Sequence, residues 1–434
     1  MRSGTSPTER RRTNVVGTSG RAERFLFVSD FHLNVDGFGD LGAEAHRVEA
    51  SNAFAGFVQH LCAEAEASET RLHLVLLGDT LDLLELQLTG RPQTAPSVAC
   101  RLRRIARANQ RVFETLAAAM AAGVDLHVVP GNHDMELSLP AVQRLFRAEV
   151  ERYAPGAPGA LTFHRWMFFV SGCVYAEHGQ QHHDLNAFAS ALHPSSVGDP
   201  DVLDHPIGGY LDAALREWKR TSAPGSAARH HPLRMWGGLV RPLARGARGY
   251  ARQQVAVGRR RWSGGGASRA ASLGRFADEI GLSRESVRAI DDISRRGIGA
   301  VTVRAVRLGA SIVRDRSFGV SGGRNARPEG YSPEYLHAAG ASIDQILHRR
   351  GEDVPFLVFG HSHVLERAPL RRSRSGDAAI FGTGTWTLVG PKGADLPSRE
   401  GLFPSVEVGR DEHGVVSAFA SVWNASANRR EVVA

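Results

Sequence analysis

Cysteine and lysine are scarce in this chain, and long apolar runs are missing. Its three cysteines, Cys62, Cys100 and Cys173, are odd in number and widely spaced, which excludes a disulfide framework and a CxxC metal knuckle. No uncharged stretch reaches the roughly 18 apolar residues of a membrane span, so no transmembrane helix is expected. Arg10-Arg11-Arg12 lacks the following apolar run of about 7 to 15 residues, so a twin-arginine export signal is not expected either. These absences point to a reducing, cytoplasmic location, with peripheral membrane contact as the alternative. Lysine occurs only as Lys219 and Lys392 among 53 basic residues. The net charge of +8 would ordinarily raise nucleic acid or anionic membrane as partners. So one-sided a preference for arginine reads first as a G+C-rich coding sequence.

What is present is the balance of a folded protein, 42% hydrophobic and 23% charged, so disorder is excluded as the main state. Residues 1–23 carry no hydrophobic periodicity and read as a basic, disordered tail. From Arg24 strands and helices alternate. Phe25 to Val28 reads as a buried strand, and Glu44 to Ala67 as a helix burying Val48, Phe54, Phe57, Val58 and Leu61. Leu72 to Leu77 is the next strand, Arg101 to Ala122 one helix, and Leu126 to Val129 a third strand. Leu161 to Ala176 reads as a pair of strands. Further strands are expected at Phe356 to Phe359, Ala378 to Phe381, Ser405 to Val408 and Val415 to Val422. This alternation implies a largely parallel α/β sheet covered by helices.

Residues 183–335 differ in texture, and from Trp218 to Ala277 they hold no acidic residue against 13 Lys plus Arg. They read as a helical, basic insertion or cap between two parts of one domain, 24–182 and 336–424, with 425–434 as a tail. Ile207, Leu211, Leu215 and Trp218 mark a helical stripe suited to packing. Met235 to Val255 interleaves Trp236, Leu239, Leu243 and Tyr250 with arginines as an interfacial helix would, so anionic lipid is a candidate partner. Ala277, Gly281 and Val287 have helix-turn-helix spacing, which a plain pair of packed helices also explains.

Five clusters carry chemistry: Asp30-Phe31-His32, Gly78-Asp79-Thr80-Leu81-Asp82, Gly131-Asn132-His133-Asp134, His178-Gly179 and Gly360-His361-Ser362-His363. The first three directly follow expected strands, where open α/β sheets place ligand-binding loops. Asp, His and Asn are the donor set for Mn, Fe or Zn. Asp30, His32, Asp79, Asn132, His178, His361 and His363 are too many for one ion and suit two divalent transition-metal ions sharing a carboxylate. Two such ions, two aspartates and a bridging hydroxide leave about one net positive charge, which attracts a phosphate ester. His133, beside Asp134, suits a general acid. Asp82 suits a supporting role, holding the loop or orienting an imidazole.

In this order the clusters resemble the calcineurin-like metallophosphoesterase superfamily, over roughly 24–182 and 340–424. The resemblance implies a four-layer α/β/β/α sandwich with an inserted helical cap. It implies one metal on Asp30, His32, Asp79 and His363 and another on Asp79, Asn132, His178 and His361, with manganese or iron as the ions and zinc as an option. It further implies His133 at the scissile phosphate and hydrolysis of a phosphate mono- or diester by metal-activated hydroxide. Thr383-Gly384-Thr385-Trp386 is similar to a family segment that follows the last ligands. Leu83 stands where the superfamily's protein Ser/Thr phosphatases carry Arg, which disfavours protein dephosphorylation. The sugar-nucleotide pyrophosphatases of lipid A assembly usually show Arg at the position of His133. The alternative activities are a lipid- or nucleotide-sugar-directed pyrophosphatase at the membrane surface, or a nucleic-acid-binding protein or nuclease using the basic insertion.

Overall fold

A computed structural model describes residues 21–35, 37–38, 44–84, 95–188, 191–192, 203–221, 241–252, 266–295, 334–370, 378–388 and 397–433. Residues 1–20 of the expected tail 1–23 and most of the glycine- and arginine-rich stretch of the insertion lie outside them, and the last tail residue, Glu23, already belongs to the first strand.

The fold is mixed α/β, with two main sheets and helices. β1 (Glu23–Val28), β4 (Arg71–Leu77), β5 (Asp125–Val129) and β6 (Leu161–Phe163) run parallel. On the other side of β1 the seven-stranded sheet continues antiparallel through β12 (Leu402–Arg410), β13 (Val416–Asn424) and β14 (Arg429–Val432). The second sheet has the order β10 (Leu365–Pro369), β11 (Ala379–Thr383), β9 (Phe356–Phe359), β8 (Val174–Glu177) and β7 (Met167–Val170). A small ribbon joins β2 (Leu33–Asn34) to β3 (Gly37–Phe38).

Both faces of β1 are buried, which is why it reads as an unbroken apolar run. Leu26 and Val28 face a core filled from α1 (Glu44–Ala67), α2 (Ala95–Ala108), α3 (Gln110–Ala121) and α4 (Pro140–Glu151). Phe25 and Phe27 face the second sheet and join Val75, Leu77, Val129, Phe168, Val358 and Phe381. The far face of that sheet, with Phe169, Tyr175, Leu357 and Ile380, is covered by α7 (Gly266–Ile280), α8 (Arg284–Arg295) and α9 (Glu334–His348). Two more helices are described between the sheets' two sequence blocks, α5 (Ile207–Thr221) and α6, over residues 241–252.

Several expectations change. Val48 is 51% exposed, because α1 buries Ala50, Ala53, Phe54, Phe57, Val58 and Leu61, and a residue six before Phe54 lies about 120° off that stripe. The single helix expected from 101 to 122 is two, broken at Asn109 (φ −119°, ψ 36°), whose amide donates to the Ile105 and Asn34 carbonyls. The stretch 161–176 forms three strands, and the chain changes sheets between β6 and β7. β14 lies within the expected C-terminal tail, and β10 has no apolar period to announce it because it is a partly exposed edge strand.

Ala277 and Val287 are buried on either side of Gly281 (φ +77°), so α7 and α8 form a packed pair against the second sheet. Of the proposed interfacial helix, Trp236, Leu239 and the rest of 235–240 lie outside the described residues, as do 253–255. Residues 241–252 pack on α5, where Gly246 approaches the Tyr210 carbonyl so closely that a Cβ would sit 2.7 Å from it. Among the described residues no helix is long and apolar enough to cross a membrane.

Three buried imidazoles line one margin of the layer between the sheets. His73 Nδ1 lies 3.1 Å from His127 Nε2, and His127 Nδ1 lies 3.0 Å from His164 Nε2, with Phe25 stacked on His73. Burial lowers all three pKa values, to about 4 for His73 and His164 and well below the usual range for His127. The unfolded chain therefore binds more protons than the folded one between about pH 6.5 and 4. Stability should be full above that window and fall as pH drops through it. Denaturant titrations of wild type and His164→Phe between pH 7 and 4.5 check this. The variant should lose up to one proton's worth of the slope, about 1.4 kcal/mol per pH unit.

Candidate metal centre

The five motif clusters occupy the loops after β1, β4, β5, β8 and β9. Backbone hydrogen bonds tie the first two loops together: Asp30 N–H donates to Gly78 O (3.2 Å), His32 N–H to Asp79 O (2.8 Å) and Asp82 N–H to Leu33 O (2.8 Å). Leu83 N–H donates to His133 O (2.9 Å) and brings in the third. Asp30, His32, Asp79, His361 and His363 all have positive φ, between 46° and 66°. Side chains with a Cβ adopt this region at a cost of about 1 to 2 kcal/mol each, and such strain gathers at functional sites. Gly131 is required for a different reason, since a Cβ there would overlap the Asp79 carboxylate.

Asp30 Oδ1 stands 3.1 Å from His363 Nε2 and 3.8 Å from His32 Nε2, and the two imidazole nitrogens are 3.2 Å apart. Asp79 Oδ2 stands 3.2 Å from His178 Nε2 and 3.7 Å from His32 Nε2. Potential ligand atoms of Asp30, His32 and His363 lie within 4.8 Å of one another, and so do those of Asp79, His178 and His361. A third group, His32, Asp79 and His133, overlaps both. Asp30 Oδ1, Asn132 Oδ1 and His178 Nε2 are buried and make no hydrogen bond. His178 Nδ1 donates to the Leu77 carbonyl (2.9 Å), which turns Nε2 toward Asp79, and against its burial Asp79 and then Asp30 push the His178 pKa up to about 9. Buried carboxylate and amide oxygens left without donors, with imidazole nitrogens beside them, fit divalent cations.

The ionised carboxylates agree with that fit. Burial opposes ionisation of Asp30, yet His363 and His178 hold it well below the usual carboxylate range. Asp79 is likewise lowered against its burial, by His178 and His133. Burial and the neighbouring His178 and His183 keep His361 neutral, and burial lowers His32. Burial also works against charging His133, but Asp79 and then Asp82 outweigh it and push its pKa up to about 10.

Asp134 departs from its expected place beside His133. It is fully buried and accepts N–H groups from Thr80 (2.7 Å), Leu81 (3.1 Å) and Gly131 (2.7 Å), so it fastens the β4 and β5 loops to each other. The partner of His133 is Asp82, with Nδ1 3.3 Å from Oδ1, in keeping with a supporting role for Asp82. The 383–386 segment buttresses Asp30: Thr385 Oγ1 donates to its carbonyl (2.9 Å), Thr383 bonds Ser29 (2.6 Å), and Trp386 stacks on Phe31.

Residues outside the expected ligand set also enter, among them His183, which with His182 competes with His178 for its place in the sequence. His183 Nδ1 and Asn186 Nδ2 lie 3.2 and 3.3 Å from His361 Nε2, while His182 bonds Glu177 instead. Arg216 and Arg101 reach Asp82. Adjacent histidines at 182 and 183 were the only signal for the first; a lone arginine on a helix carries none.

No family model matches the chain, and no curated protein does. Among solved structures it is similar to a Staphylococcus aureus protein provisionally named a 5'-nucleotidase, in complex with alpha-ketoglutarate, at 11% identity and a TM-score of 0.30. That match takes in 92% of this chain, which spans about half (52%) of the other. It is also similar to phosphopantetheinyl hydrolase from Mycobacterium tuberculosis, at 10% identity and a TM-score of 0.22, over 85% of this chain and 93% of that one.

Metal analysis after reconstitution with Mn, Fe or Zn should find close to two ions per chain. Asp79→Asn should lose bound metal far more completely than Asp82→Asn, for which affinity should fall by about 10- to 100-fold at most. Equal losses would contradict a bridging position for Asp79.

Proposed function

We propose that the protein is a metal-dependent phosphoric ester hydrolase of the calcineurin-like metallophosphoesterase type. Its two sheets and flanking helices are then read as a four-layer sandwich, with 183–335 as an inserted cap. The observation that carries this reading is the convergence of Asp30, His32 and His363 with Asp79, His178 and His361 around buried acceptors that make no hydrogen bond. Asp30, His32, Asp79 and His363 would hold one ion, and Asp79, Asn132, His178 and His361 the other.

Two bound divalent ions would lower the pKa of water and offset charge on the phosphoryl oxygens. The protein's own groups supply the rest. Asp30 and Asp79 are ionised, and only two carboxylates among the proposed ligands leave a net attraction for an anionic ester. His133, with Nδ1 held 3.3 Å from Asp82, presents Nε2 as the donor to the departing oxygen. Its ring lies edge-on to that of His32, at 4.6 Å between centroids, which keeps the donor beside the ligand group.

A screen of the metal-reconstituted protein against phosphate mono- and diesters tests the proposal. Hydrolysis should appear, and chelation should abolish it; no turnover with any of the three metals would sink the reading. His133→Asn should retain metal while turnover of alkyl esters falls by about 10²- to 10⁴-fold. The loss should shrink for nitrophenyl esters, whose leaving group needs little protonation. A metal-free His133→Asn protein would make His133 a ligand instead.

A further inference from the structure

Asp82 is the point at which α5 meets the candidate site. Its carboxylate is buried, with 3% of the side chain exposed, and is shared by two groups. His133 Nδ1 lies 3.3 Å from Oδ1. Arg216 of α5 forks across both oxygens, with Nη1 2.9 Å from Oδ2 and Nη2 3.4 Å from Oδ1. Arg101 of α2 takes the main chain instead, donating from Nε to the Asp82 carbonyl (2.7 Å) while its Nη2 stays 3.8 Å from the carboxylate. Arg216 is itself aimed by Asp212 one turn earlier, 2.6 Å from its Nε. α6 braces α5 through the close approach of Gly246 to the Tyr210 carbonyl.

The terminal torsion of an aspartate is soft, so one hydrogen bond from His133 would leave the carboxylate plane ill-defined. A planar guanidinium bonding both oxygens defines it. With that plane set, the Nδ1 contact fixes the imidazole rotation and hence the direction of Nε2. We propose that Arg216 is a positioning residue, reaching from the inserted region to lock the Asp82 carboxylate and, through it, the orientation of His133. The inference rests on the phosphoesterase reading above, and it makes α5 a working part of the site.

The test uses the full-length protein, with Arg216→Ala, Arg216→Lys, Arg216→Gln, Asp82→Asn, His133→Asn and the Arg216→Ala/Asp82→Asn double variant. Each is assayed for metal content and for hydrolysis of an alkyl and a nitrophenyl ester. Arg216→Ala should keep its metal, and its kcat for the alkyl ester should fall roughly tenfold further than for the nitrophenyl ester, as expected of a group acting through a supporting hydrogen bond. KM should change little. Arg216→Lys, which can bond one oxygen but not fork both, should recover part of the loss, and Arg216→Gln less. In the Asp82→Asn background, Arg216→Ala should add almost nothing. In the metal-free protein, the His133 Nδ1 proton should be slow to exchange by NMR in wild type and fast in Arg216→Ala.

Equal losses on both esters, a change confined to KM, additivity with Asp82→Asn or an unaltered His133 proton would overturn the inference and leave Arg216 a tether for α5. Those results alongside a clear leaving-group effect of His133→Asn would remove this inference alone. Absence of that effect, or of any hydrolysis by wild type, would remove the phosphoesterase reading and this inference with it.

Discussion

Phe25, Phe27, Val75 and Leu77 on one sheet meet Phe168, Ala176, Val358 and Phe381 on the other in an apolar layer, and this contact sets the separation of everything built on the strand ends. β1, β4 and β5 approach from one side of it, and β8 and β9 from the other. Because β1 is parallel to β4 and β5, and β8 to β9, five loops bearing Asp, His and Asn open at one end of the layer. Interiors packed to this density do not yield by an ångström without cost, so the distances among Asp30, Asp79, His178 and His363 inherit the rigidity of the sheets.

The loops are strained and then held. Five residues of the proposed ligand set sit at positive φ, a cost that the surrounding structure must outweigh. Asp134 is central to that opposition, since its carboxylate satisfies three N–H groups from two loops and is buried where water cannot compete. A buried carboxylate that accepts several backbone donors stabilises a backbone shape. Asp82 differs by facing an imidazole and an arginine, a pairing that can aim a side chain.

The imidazoles divide along the same lines. His73, His127 and His164, at the margin of the apolar layer, bond mainly to one another and are kept neutral by burial. In the motif loops Asp79 pushes His133 and His178 toward the charged form, while burial keeps His32 and His361 lowered. Burial is similar in both places; the nearby charge decides whether an imidazole is a neutral packing group or a charged partner.

Much was legible from residue order alone. β1, α1, β4, β5 and β9 follow from apolar periodicity, because strands buried on both faces and a helix buried on one leave direct patterns. The motif loops were legible because their chemistry demands rare residue types at short spacing. Edge strands β10 and β14 were not, since partly exposed edges need no apolar alternation, and neither was the break at Asn109, which depends on a carbonyl 75 residues away. Asp134 and Asp82 are both an acid beside a motif in sequence, and only the tertiary structure separates them: one turns toward backbone donors, the other toward His133. Arg216 shows the same limit from the other side. Its role depends on a contact across 134 residues with Asp82, and spacing along a chain does not encode which distant side chains the packing of helices brings together.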